Sequence, residues 1–370
     1  AIDFDYTYNA NGQVLTADDN AVAGNDRVFT YDALGRLETA SGGWGAGTFT
    51  YDALGNLRQK TLGSRTVDVQ YNTTTFRVQQ MRDDAVSSAW KGYSHDARGN
   101  VTSNGSITFT YDLSNQPVST GGAVSADYQY DGNFRRVKEV EGSTTRYFFY
   151  TQAGTLAWRK QGSGGMDFIA IPGMRLARVT DGGAKRYFHE DHIGSASAIT
   201  KGAGVIDYRE QYTPFGEKML AVSGAHELGF TGHMYDENTG LTYMQARYYD
   251  PVIGRFLATD PVTFTPAMPF MVNRYAYVGN DPVNAIDPDG MFRNCATDPT
   301  CHYVLGGPDE EEDRDTCCTK FIERTEKWRT DEEYRIEEGK KGLFTQEETA
   351  AIAEAIFPNA IGFASAGACA

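Results

Sequence analysis

Few residues in this sequence are spaced for chemistry, and most of those have a simpler reading. Three Asp-Pro dipeptides, Asp260-Pro261, Asp281-Pro282 and Asp287-Pro288, crowd one stretch of the chain. Taken alone they read as turn starters, since Asp bonds its own following backbone and Pro presets the turn. His189-Glu-Asp-His192 invites a zinc reading, but its histidines are not in the HExxH spacing that puts two imidazoles on one helix face, so no metal is assigned. Gly194-Ser195-Ala-Ser197 lacks the G-x-S-x-G elbow of a hydrolase. The glycine runs at Gly42–Gly47 and Gly162–Gly165 lack the Lys-Ser/Thr of a phosphate loop and read as hairpin tips, so no cofactor is implied. Cys301-His302 is a weak nucleophile pair.

The balance of charge removes one class of function. A net charge of −15 argues against a nucleic-acid-binding shell, because phosphate contacts need clustered Lys and Arg. No apolar run approaches the roughly 20 residues that span a bilayer as a helix. The chain opens on Ala with no signal-peptide pattern, which reads as a fragment or processed product with any export signal upstream. All five cysteines (Cys295, Cys301, Cys317, Cys318 and Cys369) fall after residue 294, a division that points to two units of different history. Their odd number sets no clear disulfide framework, and no paired CxxC zinc spacing occurs.

The elements that must position these residues come from a repeat. YTYNANGQVLTA from Tyr6, FTYDALGRLETA from Phe29, FTYDALGNLRQK from Phe49, VQYNTTTFRVQQ from Val69, YSHDARGNVTSN from Tyr93, FTYDLSNQPVST from Phe109, YQYDGNFRRVKE from Tyr128 and FFYTQAGTLAWR from Phe148 are variants of one unit. Its third aromatic falls at Tyr8, Tyr31, Tyr51, Tyr71, His95 (a substitute), Tyr111, Tyr130 and Tyr150, in steps of 23, 20, 20, 24, 16, 19 and 20. In F-T-Y the aromatics share one face of a strand and Thr takes the other. Asp or Asn then starts a turn, and Gly three residues later (Gly12, Gly35, Gly55, Gly99) supplies the positive φ that closes it. Each unit is a β-hairpin, and one hairpin cannot bury its aromatic face alone. Stacked hairpins make a long antiparallel sheet.

These YDxxGRL units resemble the YD repeats of Rhs proteins, Tc-toxin C subunits and teneurins, over about residues 1–291. The resemblance implies a mainly β fold in which antiparallel hairpins spiral into a shell around the protein's own C-terminal region. From Tyr187 a second pattern begins: YFHEDHIGSASAIT, Tyr212-Thr-Pro-Phe-Gly216, Phe230-Thr-Gly-His233, GLTYMQARYYDP from Gly240, GRFLATDP from Gly254, NRYAYVGNDP from Asn273 and Asp287-Pro-Asp-Gly290. In order and spacing it is similar to the Rhs-associated core, which seals one end of the shell and cuts its own chain after a DPxG turn. The resemblance therefore implies an aspartyl dyad of Asp260 and Asp287, a turn made by Pro288 and Gly290, and cleavage between Met291 and Phe292. Met291 stands where the family prefers Leu, a swap that keeps volume. Two carboxyl groups held close do not both ionise easily, so one keeps a proton while the other acts as base on water. Arg255 is placed either to polarise the scissile carbonyl or as a structural partner of the acids. Asp281 remains a turn residue. The 26 residues between the two aspartates, with the Pro-rich Thr263–Pro269, are more than the family pattern leads one to expect.

The division expected is a YD-repeat shell at 1–186, a core with its cleavage site at 187–291, and a separate passenger at 292–370. The passenger has 17 acidic and 9 basic residues, with helix-prone stretches at Phe321–Glu338 and Glu347–Ile356 in an α-rich or partly disordered segment. It stands where Rhs proteins carry a variable toxin, and its own residues leave toxin and inert tail both open. The leading reading is a secreted or cell-surface, bacterially exported toxin shell, its partners being its own passenger, secretion machinery and an immunity protein. The alternatives are a surface adhesion protein whose repeats bind carbohydrate or protein without cleavage, and a metal hydrolase.

Overall fold

The structure is a computed structural model; it describes residues 2–171, 174–219, 228–262, 273–291 and 294–295. The expected passenger helices, the Pro-rich stretch at 263–269, four of the five cysteines, His302 and Phe292 lie outside the described residues.

The second hairpin shows how a repeat folds. Arg27–Tyr31 pairs antiparallel with Leu37–Gly42. Between them Asp32 accepts the amides of Leu34 (2.9 Å) and Arg36 (3.0 Å) on one carboxylate oxygen, and Gly35 sits at φ 75°. Phe29 is buried at 4%, while Thr30 faces out and bonds Thr39 across the ladder at 2.7 Å. Gly12, Gly55 and Gly99 also have the positive φ that their turns require.

Two features go beyond that reading. In all eight repeats the register slips at the third aromatic position, from Thr7/Tyr8 to Phe149/Tyr150, so each unit carries a β-bulge there. The bulged tyrosine reaches back to the previous hairpin: Tyr31 donates to Val14 O at 2.7 Å, Tyr51 to Leu37 O at 2.8 Å, Tyr71 to Leu57 O at 2.8 Å and Tyr130 to Pro117 O at 2.7 Å. The hydroxyl lets a half-buried ring satisfy a carbonyl that neighbouring strands leave open.

The repeats form two sheets, not one. Nine strands from Phe4–Tyr8 to Ser87–Gly92 make the first, and 13 from Ser94–His95 to Ile206–Arg209 the second, each in strict chain order. The break falls at the repeat with His95, whose strands are only two and three residues long. There Val101 N donates to Leu257 O at 2.8 Å, a bond to the core segment instead of to another repeat.

The core segment packs on the phenylalanine-bearing face of both sheets. Its own four-stranded sheet comprises Met234–Asp236, Leu241–Met244, Arg247–Asp250 and Arg255–Phe256. Phe29 and Phe49 cluster with Phe215 and Val283, and Phe109, Phe148, Phe168 and Phe188 with Leu241, Tyr243, Tyr248 and Leu257. Each buried phenylalanine contributes roughly 2–3 kcal/mol. Polar side chains of the core also grip carbonyls of the repeat turns: Asn280 donates to Gly55 O at 2.8 Å, Tyr275 to Gly99 O at 2.8 Å and Gln245 to Gly154 O at 3.2 Å. The core is thus keyed to the repeat spacing by hydrogen bonds to backbone.

Candidate self-cleavage site

Arg247 opens the strand Arg247–Asp250 and is 2% exposed. Its Nη2 lies 2.8 Å from Asp260 Oδ2 and 2.9 Å from Asp287 Oδ2. Both acids are buried, at 8% and 2%. The guanidinium is stacked 3.5 Å over the Phe256 ring, which fixes its plane. Asp260 Oδ1 accepts Val262 N at 2.8 Å, and Asp260 N donates to Arg274 O at 3.0 Å. One cation faces two acids inside the protein. Burial raises the Asp260 carboxyl above the usual carboxylate range, with Arg247 and Arg274 opposing.

The turn Asp287-Pro-Asp-Gly290 lies against the hairpin loop that precedes Arg247. Ala246 N donates to Asp289 O at 3.0 Å, and Arg247 Nε donates to Gly290 O. Met291 N donates to Asp287 Oδ1 and to Asp289 Oδ1, both at 3.0 Å. The peptide unit just before the expected cleavage point is therefore held at its carbonyl by Arg247 and at its amide by Asp287. Gly290 has φ 75°, and a Cβ there would lie 2.0 Å from Met244 O. Only glycine brings the chain this close to the strand that carries the arginine. Gln245 Nε2 meets Pro288 O at 3.4 Å. His233, fully enclosed, donates from Nε2 to Asp287 O at 2.8 Å; burial pushes its imidazole down to about 4, so it is neutral.

Asp260, Asp287 and the Gly290 carbonyl thus meet on one guanidinium, with Pro288 and Met291 in the same turn. Arg255 takes another place. Its Nη2 donates to Asn273 Oδ1 at 2.8 Å and its Nη1 to the Tyr71 hydroxyl at 3.3 Å, with its guanidinium over the Tyr71 and Tyr275 rings. Asn273 continues to Asn56 Oδ1 at 2.9 Å, so Arg255 ties the core to a repeat. The arginine on the carboxylates is Arg247. In ARYYDP it lies 13 residues before Asp260, with no spacing rule to single it out, because only strand pairing sets it beside the acids. His233 and Asp289 were missed for the same reason. Asp281 does serve a turn, accepting Asn284 Nδ2 at 2.6 Å. His189 meets Thr200 Oγ1 at 3.0 Å and His192 meets Val283 O at 2.7 Å; Ser195 Oγ accepts Thr231 N at 3.1 Å. Among the described residues no group of three His, Cys, Asp or Glu side chains is placed to hold a metal, and no helix is long and apolar enough to cross a membrane.

The chain is similar to known proteins in sequence and in fold. The tRNA3(Ser)-specific nuclease WapA of Bacillus spizizenii is 30% identical over 275 residues, 71% of this chain and 11% of the relative. Toxin subunit YenC1 of Yersinia entomophaga is 25% identical over 307 residues, 74% of this chain and 30% of the subunit. The chain therefore spans a minor part of the curated relatives it matches. The crystal structure of TcdB2-TccC3-TEV superposes with a TM-score of 0.65 at 20% identity, over 78% of this chain and 17% of that one. The family described as the teneurin YD-shell matches residues 2–283, and the chain belongs to that family.

Proposed function

We propose that this chain is the closing part of a toxin-type YD shell, which cuts itself after Met291 and frees the C-terminal segment that the shell encloses. The observation that supports the reading is Asp260 and Asp287 on one Arg247 nitrogen, with Asp287 also on the amide of Met291. Asp287, the ionised member, takes a proton from water as the water oxygen attacks the Met291 carbonyl carbon. Asp260 supplies its proton to the carbonyl oxygen. Collapse of the tetrahedral carbon breaks the bond to the Phe292 nitrogen, which leaves with the proton Asp287 had taken, while the oxygen protonated by Asp260 gives that proton back to it. Water is consumed, and one acid and one amine are made. Arg247 keeps its charge throughout, holding Asp287 ionised and the Gly290 carbonyl in place. On this reading residues 292–370 are the effector, with an export route and a neutralising partner for the producing cell.

Intact-mass spectrometry of the purified chain tests the reading. Two fragments with a break after Met291 are expected, and a single mass for Asp287→Asn and for Asp260→Asn. An unbroken wild-type chain, folded by circular dichroism, would favour an uncleaved surface protein instead.

A further inference from the structure

The amide of Met291 has two acidic acceptors where one would suffice. Asp287 Oδ1 and Asp289 Oδ1 each lie 3.0 Å from it. Both carboxyl groups therefore border the same N–H. Around them the described titratable and charged groups are Arg247 on both Asp287 and Asp260, Arg274 at Asp260, neutral His233 on the Asp287 carbonyl, and the Tyr277 ring beside Asp287. Three acids therefore meet one guanidinium that touches two of them.

Resting on the self-cleavage reading, we propose that Asp289 is a third carboxyl group of the site, a positioning residue that holds the Met291 amide together with Asp287 and adds its charge beside the dyad. The variable position of the DPxG turn is thus a working residue in this chain. Its backbone supports the assignment: Asp289 O accepts Ala246 N at 3.0 Å, so the side chain leaves a pinned turn. Burial raises the Asp289 carboxyl, with the Met291 amide and Arg247 opposing. An extra acid beside the dyad makes the dyad's shared proton harder to lose, so cleavage extends to higher pH.

The test uses the full chain, recovered unfolded in denaturant and diluted into buffers from about pH 4 to pH 9, with the cut fraction followed by intact-mass spectrometry. Asp289→Asn keeps an acceptor for Met291 and loses the charge. It should cut within a few-fold of wild type at its optimum, with the alkaline limb lower by about one pH unit. Asp289→Ser, also uncharged, should show the same displaced limb, and Asp289→Glu should restore it. Wild-type cutting with superimposable profiles in the Asn and Ser variants overturns the role of Asp289 and leaves the dyad standing. No cutting in wild type at any pH overturns both.

Discussion

Asp260 and Asp287, 27 residues apart along the chain, meet through a single atom, Arg247 Nη2, at 2.8 and 2.9 Å. A shared nitrogen holds two carboxyl groups together in a buried site, because the guanidinium offsets part of the cost of desolvating them. Removing it should undo the site and leave the fold. Arg247→Lys should lower the rate of self-cleavage by at least about tenfold, because a point charge cannot span both acids and the Gly290 carbonyl. Arg255→Lys should cleave near the wild-type rate. Intact-mass time courses of the two variants compare them directly, and equal loss in both would return Arg255 to the site.

Gly290→Ala should be uncut. Its Cβ would meet Met244 O at 2.0 Å, so the turn must lift away from Arg247. The shell sheets do not depend on that turn, and far-ultraviolet circular dichroism should match wild type. An alanine variant cleaved at the normal rate would mean that the bond is not presented in the conformation seen here.

Arg136 is fully buried and joins Asp236 through two nitrogens, at 2.5 and 2.7 Å, within four aromatic rings. Asp236→Ala should cost on the order of 3 kcal/mol in denaturant unfolding, since it strips a buried cation of its main partner. Asp207→Ala, at the exposed Arg186 pair, should cost under about 1 kcal/mol. Equal costs would contradict the burial argument.

Asp250 gives a pH signature separate from cleavage. Burial raises its carboxyl to about 6, opposed by the amides of Val252 and Ile253 and by Lys60. The folded chain therefore binds this proton more tightly than the unfolded chain. The resulting penalty is absent below about pH 4, grows as pH rises to about 6 and is constant above, on the order of 3 kcal/mol. In an uncut Asp287→Asn background, Asp250→Asn should raise the melting midpoint at pH 7 and flatten its change between pH 4 and 6. A midpoint unchanged at pH 7 would place the Asp250 proton elsewhere.

The repeat, its hairpin form and the faces of its strands were legible from the order of residues alone. Phe29 and Phe49 are inside, Thr30 is outside, and Gly35 closes its turn with positive φ, because period two, Asx turns and glycine's freedom act over four or five neighbouring residues. The family resemblance pointed to Asp260 and Asp287. Which arginine serves them was decided only by tertiary structure: Arg247 and Arg255 lie eight residues apart in one segment, and both are buried. Pairing of Tyr249 with Phe256 and of Asp250 with Arg255 sends one guanidinium to the acids and the other to Tyr71 and Asn273. The tyrosine stitches between hairpins, the break into two sheets at His95, and the carboxyl groups of Asp287 and Asp289 on one amide likewise join groups whose approach depends on how distant strands dock. Local pattern fixes a residue's face on its strand; its partner across the core is set by packing of the whole.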